Sequence, residues 1–409
     1  MSTTELTSAG PRGGVRRRTR NETVLLLVFA IIPLTFIPNQ VLGFLLSGWS
    51  WLFLLAAVGV LVLTEPLPKR AVGTLLPYLL FLCYAALTLA WTLSFYEGVA
   101  SLMQFLVPAL VYLLAWRVRV DAALEAMVRR TCLQVLAIAV LLVIVVQSGL
   151  GGPLGLRLSD RPMSISLVVL FVGATLSSRS WGFTVLVGGI AIAAAVVTGS
   201  RMASLVLLVM LLTSPSLRLR WSGRLAVAVA CALLVVLVSN TQAFKERFFF
   251  DEDARLMDVL TLRDNVNTAG RRELWPLLLR ECDQTSTTGL GIASSGLLSL
   301  ELSRGALDHP HNEYIRTYCD EGWTGSLLIW LFFFGALLRS WTGRFVGRNT
   351  ALHGAAGQLV LALLIFSITD NPLTYTAHFM APLAAILGMS DRTLAEGTRS
   401  PGAHANAIT

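Results

Sequence analysis

Apolar runs of about 15 to 25 residues recur from one end of the chain to the other, separated by short polar connections. A helix needs ~20 apolar residues to cross the hydrocarbon core of a bilayer, which is about 30 Å thick. Hydrophobic residues make up 55% of the chain and charged residues only 14%, whereas about 25% of a soluble domain is charged. An outer-membrane barrel would instead show alternating segments of ~10 residues. The sequence therefore predicts an all-α polytopic membrane protein and excludes a soluble or disordered chain.

The runs predict about twelve transmembrane helices. They lie at 22–38, 42–64, 71–93, 98–116, 131–148, 163–178, 181–198, 202–214, 225–240, 323–341, 352–370 and 376–390. The chain then divides into a basic tail (1–21), helices 1–9 (22–240), one long loop (241–322), helices 10–12 (323–390) and a second tail (391–409). The run at 202–214 is the shortest, and its existence decides on which side of the membrane the long loop lies.

The basic residues are distributed unevenly between the two sides of the predicted bundle. The formal net charge is +8, and most Lys and Arg residues fall in connections on the side of the amino terminus. The short connections on the other side hold only Arg157, Arg161 and Arg201. By the positive-inside rule, both termini are cytoplasmic and the long loop faces the outside. This pattern indicates a bilayer, and not a nucleic acid, as the partner of the basic residues.

The long loop is predicted to contain helices of its own, because its apolar residues recur at helical spacing. The segment 244–262 mixes charged and apolar residues as an interfacial amphipathic helix does. Residues 271–282 form a second predicted helix, and a polar, glycine-rich stretch follows at 285–296. A last helix is expected from about His311 to the turn at Gly322.

The five cysteines predict no metal site, because no C-x-x-C spacing occurs. Cys83, Cys132 and Cys231 lie inside apolar runs and are interpreted as small core residues. Cys282 and Cys319 lie in the long loop, on the predicted oxidising side. Their pattern allows either a disulfide or two free thiols.

Arginines on the predicted outer side are the first candidates for chemistry, since charge near a membrane is costly and usually has a purpose or a partner. Arg201 starts the eighth run, where it would either anchor the helix at the interface or bind phosphate with its forked guanidinium. Arg271 and Arg272 begin a predicted helix, where an anion would meet both guanidinium and first-turn amides. The alternative is that the two arginines pair with Glu273 or Asp283, or contact lipid headgroups.

The segment His309-Pro310-His311-Asn312 is the next candidate. A neutral imidazole is a natural general base near pH 7, and the proline is expected to hold the two histidines in different directions. Asp370 ends a predicted helix on the outer side, just before Asn371-Pro372, where a helix stop alone would explain it.

Taken in order, these motifs resemble the O-antigen ligase and O-antigen polymerase superfamily. His311-Asn312, then nine residues, then Gly322 and Gly325 is similar to the ligase pattern H-[N/S/Q]-x9-G-x-x-[G/T/Y]. Gly199-Ser200-Arg201 resembles the G-S-R of the superfamily at a helix junction. The resemblance covers most of 20–390 by architecture.

A third motif departs from the superfamily pattern. Gly270-Arg271 with Trp275 resembles the helix start S-G-R-x-x-x-W. Ala269 replaces the serine, and Arg272 is an additional arginine. We match Arg271 to the motif, because it directly follows the glycine.

The resemblance implies a GT-C-like, inverting glycosyltransferase that needs no metal or cofactor and works on the periplasmic face of the bacterial inner membrane. The implied donor is O-antigen on undecaprenyl pyrophosphate, and the implied acceptor is a sugar hydroxyl of lipid A–core. The implied catalytic residues are His311, Arg201 and Arg271. The implied substrate-binding residues are Arg272, Asn312, Trp275 and His309.

Two alternatives to an O-antigen ligase remain at this stage. An O-antigen polymerase would use the same lipid-linked donor with a growing glycan as acceptor. A transporter of an anionic substrate would use the arginines as an ion pathway. It would show internal repeats and charge buried in mid-span, whereas the apolar runs here are almost free of charge.

Overall fold

The structure is a computed structural model that describes residues 19–37, 40–41, 44–150, 160–215, 223, 270–346 and 349–397. Its described part is helical apart from two antiparallel two-residue strands, β1 (Gln40–Val41) and β2 (Phe44–Leu45). The first eight helices are α1 (Arg20–Ala30), α2 (Leu46–Leu63), α3 (Lys69–Thr88), α4 (Phe95–Ala115), α5 (Ala122–Gln147), α6 (Asp160–Ala174), α7 (Trp181–Val197) and α8 (Arg201–Thr213). After residues 216–269, of which only residue 223 is described, the described helices are α9 (Arg271–Cys282), α10 (Ser294–Leu302), α11 (Glu313–Val346), α12 (Thr350–Phe366) and α13 (Ala381–Gly397).

Four of the described helices, α3, α4, α5 and α11, are long and apolar enough to cross a membrane. Helix α8 has 13 residues and is therefore ~20 Å long at 1.5 Å per residue, shorter than the ~30 Å hydrocarbon core. The predicted ninth run (225–240) and the predicted interfacial helix (244–262) lie outside the described residues. The count of twelve spans and the side of the long loop therefore stay predictions.

The local helix predictions need two corrections. The first run was expected to be one helix, but α1 ends at Ala30 and a 3₁₀ turn follows at Ile32–Phe36, where Pro33 supplies no amide hydrogen. Helix α10 was not predicted. The predicted turn at Gly322 is confirmed, because α11 consists of two helical segments that meet there, where Gly322 is non-helical with φ 62° and ψ −167°.

The interpretation of the cysteines is also corrected at one position. Cys132 is buried, as expected of a core residue, but Cys83 is exposed on the surface of α3. That surface is consistent with a lipid-facing side of a membrane helix, because a thiol is apolar enough to lie there. Cys231 lies outside the described residues.

Helix α10 is stabilised by hydrogen bonds to residues that are distant in the sequence. The amide of Ser295 donates to Asp320 Oδ1 at 2.6 Å, and the amide of Leu93 donates to Ser294 Oγ at 3.0 Å. Thr92 Oγ1 donates to the Ile292 carbonyl at 2.6 Å. These bonds join the start of α10 to the α3–α4 turn and to α11, so tertiary structure overrides the weak helix propensity of its serines.

The glycines at the kink of α11 allow two chain segments to touch. A Cβ added at Gly322 would lie 2.5 Å from the Thr287 carbonyl oxygen, and one added at Gly289 would lie 2.3 Å from the Asp320 carbonyl oxygen. Both glycines have positive φ, which disfavours any other residue. A Cβ added at Gly325 would lie 3.1 Å from the Tyr84 ring. Gly322 and Gly325, which complete the His311 motif, thus serve close packing.

A disulfide joins Cys282, at the end of α9, to Cys319 in α11. The sequence left this pair open between a disulfide and free thiols. The bond fixes α9, and with it Arg271, relative to the segment that follows His311.

Removing this disulfide should destabilise the protein. The two cysteines are 37 residues apart, and chain-entropy arguments give about 4 kcal/mol for closing a loop of that length. We expect Cys282→Ser with Cys319→Ser to lower the free energy of unfolding by up to this amount, seen as a lower Tm in detergent. Cys83→Ser is the matched control, and a Tm of the double variant equal to that of the control would contradict the prediction.

Candidate active site

His311 lies in a short connection between α10 and α11 that is held from two sides. Trp275, in α9, donates from its indole Nε1 to the Pro310 carbonyl at 2.7 Å. Asn312 accepts from the Ile315 amide at 3.0 Å, as a helix N-cap does, and donates to the Ile368 carbonyl at 3.0 Å. Two of the predicted substrate-binding residues thus hold the backbone on either side of His311.

His311 itself adopts an unusual backbone conformation. Its φ is 51°, in the left-handed region that non-glycine residues rarely occupy, and its side chain is only 4% exposed. Such conformations cost energy and persist where the surroundings enforce them, most often at functional sites. The ring is therefore held in one buried orientation by the segments around it.

Two groups of opposite charge flank the His311 ring. Arg161, at the start of α6, brings one guanidinium nitrogen to 3.2 Å from Nε2 and 3.4 Å from Nδ1. Asp370 lies on the Nδ1 side, with Oδ1 at 3.9 Å, which is ion-pair range and longer than a hydrogen bond. The ring thus has a fixed cation and a fixed anion as neighbours.

Asp370 is held as a carboxylate by its surroundings. Its Oδ1 accepts from the Asn371 amide and from the Tyr375 hydroxyl, both at 2.9 Å. Burial raises the pKa of Asp370, but the His311 side chain, the Asn371 amide and the Tyr375 hydroxyl outweigh it, so that the pKa lies below its usual value. A depressed pKa means that the interactions favour the charged form.

Arg271 is the first residue of α9 and interacts electrostatically with the Asp370 carboxylate. Gly270 precedes it with φ 76° and gives the helix no side-chain cap. Burial lowers the pKa of Arg271 below its usual value, Arg161 lowers it further, and Asp370 partly offsets the two; the guanidinium still stays charged, because arginine does not deprotonate in proteins. Its Nε is buried without a hydrogen-bond partner.

The other predicted residues lie further from the pair of His311 and Asp370. The rings of His309 and His311 are 6.4 Å apart and almost perpendicular, at 89°, which agrees with the expected effect of Pro310. His309 and Arg272 are exposed.

Arg201 begins α8 and is exposed. Gln358, in α12, donates to the Met210 carbonyl near the end of α8 at 2.5 Å. Pro215, just after α8, lies against Gly354, one turn earlier in α12, so the two helices run antiparallel. The end of α12 leads into Asp370, and Arg201 therefore lies at the same end of the bundle as Asp370.

Charged groups at the opposite end have partners of their own. Asp391, in α13, accepts from Arg339 of α11 at 3.2 Å and from the Tyr112 hydroxyl of α4 at 2.8 Å. Arg117 donates to four backbone carbonyls where α2 ends, at 2.6 to 3.2 Å. Among the described residues, no group of three or more His, Cys, Asp or Glu side chains is placed to hold a metal ion.

Sequence reasoning missed four residues of this arrangement. Arg161 and Asp370 are charged groups on the predicted outer side, but neither is predicted from the sequence as a catalytic or substrate-binding residue. Their charge at that position is the one sequence signal for a role in the site. No sequence signal marks Tyr375 or His378, because they lie at an apolar run that is predicted to span the membrane. The His378 ring stacks against Tyr375 with 4.9 Å between centroids.

Residues 186–331 match the family model Wzy_C, described as O-antigen ligase. The match covers about a third of the chain, which is similar to the O-antigen ligase family over these residues. The match includes Arg201, Arg271 and His311, whereas Arg161 and Asp370 lie outside it. A search of curated proteins finds no match. This similarity supports a membrane enzyme of the O-antigen pathway, either a ligase or a polymerase.

Proposed function

We propose that this protein is an O-antigen ligase that transfers O-antigen from undecaprenyl pyrophosphate to a sugar hydroxyl of lipid A–core. The observation that carries the proposal is the burial of His311 between Arg161 and Asp370, with Arg271 nearby. This arrangement offers a positioned base and fixed positive charge at one end of a helix bundle. Both are what a glycosyl transfer with an anionic leaving group requires.

The proposed base is His311. With Nδ1–H directed to Asp370, the ring keeps Nε2 as its unprotonated nitrogen, and the carboxylate stabilises the imidazolium that forms. The proton of the acceptor hydroxyl passes to Nε2 as the acceptor oxygen bonds to the anomeric carbon. The bond from that carbon to the diphosphate oxygen breaks, and its electron pair leaves with the diphosphate. Attack opposite to the leaving group inverts the configuration of the anomeric carbon.

The proposed stabilisers of the leaving group are guanidinium groups. Arg271 has an unpaired Nε, and α9 starts there with amides that no side chain caps. A diphosphate oxygen at this position would gain charge-assisted hydrogen bonds from both. Arg161, beside His311, adds charge that needs no reorganisation during the reaction.

A ligase and a polymerase differ in the acceptor that receives the glycan. The lipopolysaccharide of a strain that lacks this protein shows which acceptor is used. Loss of a ligase should leave polymerised O-antigen on the lipid carrier and the core without O-antigen. Loss of a polymerase would leave single repeat units attached to the core. Single units on the core would therefore overturn the proposed acceptor.

Arg201→Ala tests the third proposed arginine. We expect glycan transfer to fall on the order of 10²-fold, because a fixed guanidinium near the developing charge is lost. Membrane insertion should be unchanged. Arg179→Ala is the control, since Arg179 is an exposed arginine between α6 and α7, at the other end of the bundle. Equal rates for the two variants would remove Arg201 from the proposed site.

A further inference from the structure

Tyr375 makes the third interaction with the Asp370 carboxylate. Its hydroxyl donates to Oδ1 at 2.9 Å, and Oδ1 is also the oxygen that lies 3.9 Å from Nδ1 of His311. The Asn371 amide reaches the same oxygen at 2.9 Å. One carboxylate oxygen therefore links Tyr375 to His311.

The backbone and ring of Tyr375 are both fixed. Tyr375 lies between a 3₁₀ turn (Pro372–Thr374) and a π-helical turn (Thr376–Met380). Its carbonyl accepts from the Phe379 and Met380 amides, both at 3.0 Å. π turns are rare and occur frequently at functional sites. His378, which belongs to this turn and is 5% exposed, packs its ring against the Tyr375 ring.

We propose that Tyr375 is a positioning residue of the reaction, whose hydroxyl holds the Asp370 carboxylate in place beside His311. The inference rests on the proposed function, because it names a residue that acts on the acceptor only through Asp370 and His311. Without the hydroxyl, the carboxylate loses one of two hydrogen bonds to Oδ1. The His311 ring is then less firmly oriented toward the acceptor.

The charges around Asp370 agree with this role. Arg161, Arg271, His311 and His378 are the charged or titratable side chains that act on Asp370 or on its partners, and Glu313 acts on Tyr375. The Tyr375 hydroxyl is one of the groups that lower the pKa of Asp370. Replacing it should raise that pKa, because a hydrogen bond to the charged form is lost.

The decisive variant is Tyr375→Phe, which keeps the ring and removes only the hydroxyl. We expect kcat for glycan transfer to fall about 10-fold, the effect of losing a hydrogen bond to a charged group, with KM unchanged. In an Asp370→Asn background, the same substitution should cause little further loss. Tyr314→Phe is the matched control, because the Tyr314 hydroxyl donates to the Leu364 backbone carbonyl.

A second measurement does not depend on activity. An infrared pH titration in liposomes follows the carbonyl band of protonated Asp370, identified by its loss in Asp370→Asn. Its midpoint should move to higher pH in Tyr375→Phe and stay in place in Tyr314→Phe.

The two measurements separate the inference from the proposed function. If the wild type transfers no glycan but the infrared midpoint moves, the proposed function fails, and the coupling of Tyr375 to Asp370 stands without a role in transfer. If the wild type is active, two results would overturn the inference. One is a wild-type rate for Tyr375→Phe, and the other is an equal loss in the Asp370→Asn background.

Discussion

Replacing His311 should lower the rate of glycan transfer by about 10²- to 10⁴-fold, the contribution of a positioned general base. The loss should fall mainly on kcat, because the imidazole acts as the acceptor hydroxyl attacks. Initial rates with purified lipid-linked donor and rough lipopolysaccharide in proteoliposomes measure it.

The choice of substitution matters at this position. Alanine disfavours the left-handed backbone found at His311, whereas asparagine tolerates it. His311→Asn therefore removes the imidazole with the smallest change in backbone preference. His309→Asn is the comparison, because its exposed ring lies beside that of His311, and we expect a milder loss. Similar rates for the two variants would argue against His311 as the base.

Arg271→Ala should reduce transfer on the order of 10²-fold or more, since one preorganised donor to a developing negative charge is typically worth that much. Arg271→Lys should recover only part of the activity. A lysine keeps the charge but not the forked set of donors that matches two phosphate oxygens.

Arg272→Ala is the control for this prediction. Arg272 is the neighbouring residue on the same helix and is exposed, so Arg272→Ala should reduce glycan transfer less than Arg271→Ala does. If Arg272→Ala were the more damaging variant, the match of Arg271 to the superfamily motif would be wrong. Both variants remove one positive charge from the start of α9, so a difference between their rates does not come from the change in net charge.

Local patterns predicted those parts of the fold that depend on neighbours in sequence. The helix at 271–282 follows from apolar residues at helical spacing, and the structure has α9 at Arg271–Cys282. The turn predicted at Gly322 is present, because glycine permits the positive φ at which the two helical segments of α11 meet. Arg271 and His311 were recognised in the same way, from their place within short motifs.

The partners of His311 could not be predicted locally. Asp370 reaches His311 only because the Glu313 amide donates to the Ser367 carbonyl at 2.8 Å and Asn312 binds the Ile368 carbonyl. These bonds join segments that are far apart in sequence, since Asn312 and Ile368 are 56 residues apart. Tyr375 lies next to the apolar run at 376–390 and His378 lies within it, and the composition of this run gives no sign of a polar role.

The most direct test of the account is transfer by the purified protein in proteoliposomes that contain undecaprenyl-pyrophosphate-linked O-antigen and rough lipopolysaccharide, with EDTA present. We predict that O-antigen becomes attached to lipid A–core, and that His311→Asn in the same vesicles attaches almost none. Equal product with both proteins would contradict the account, as would activity that appears only when a metal is added.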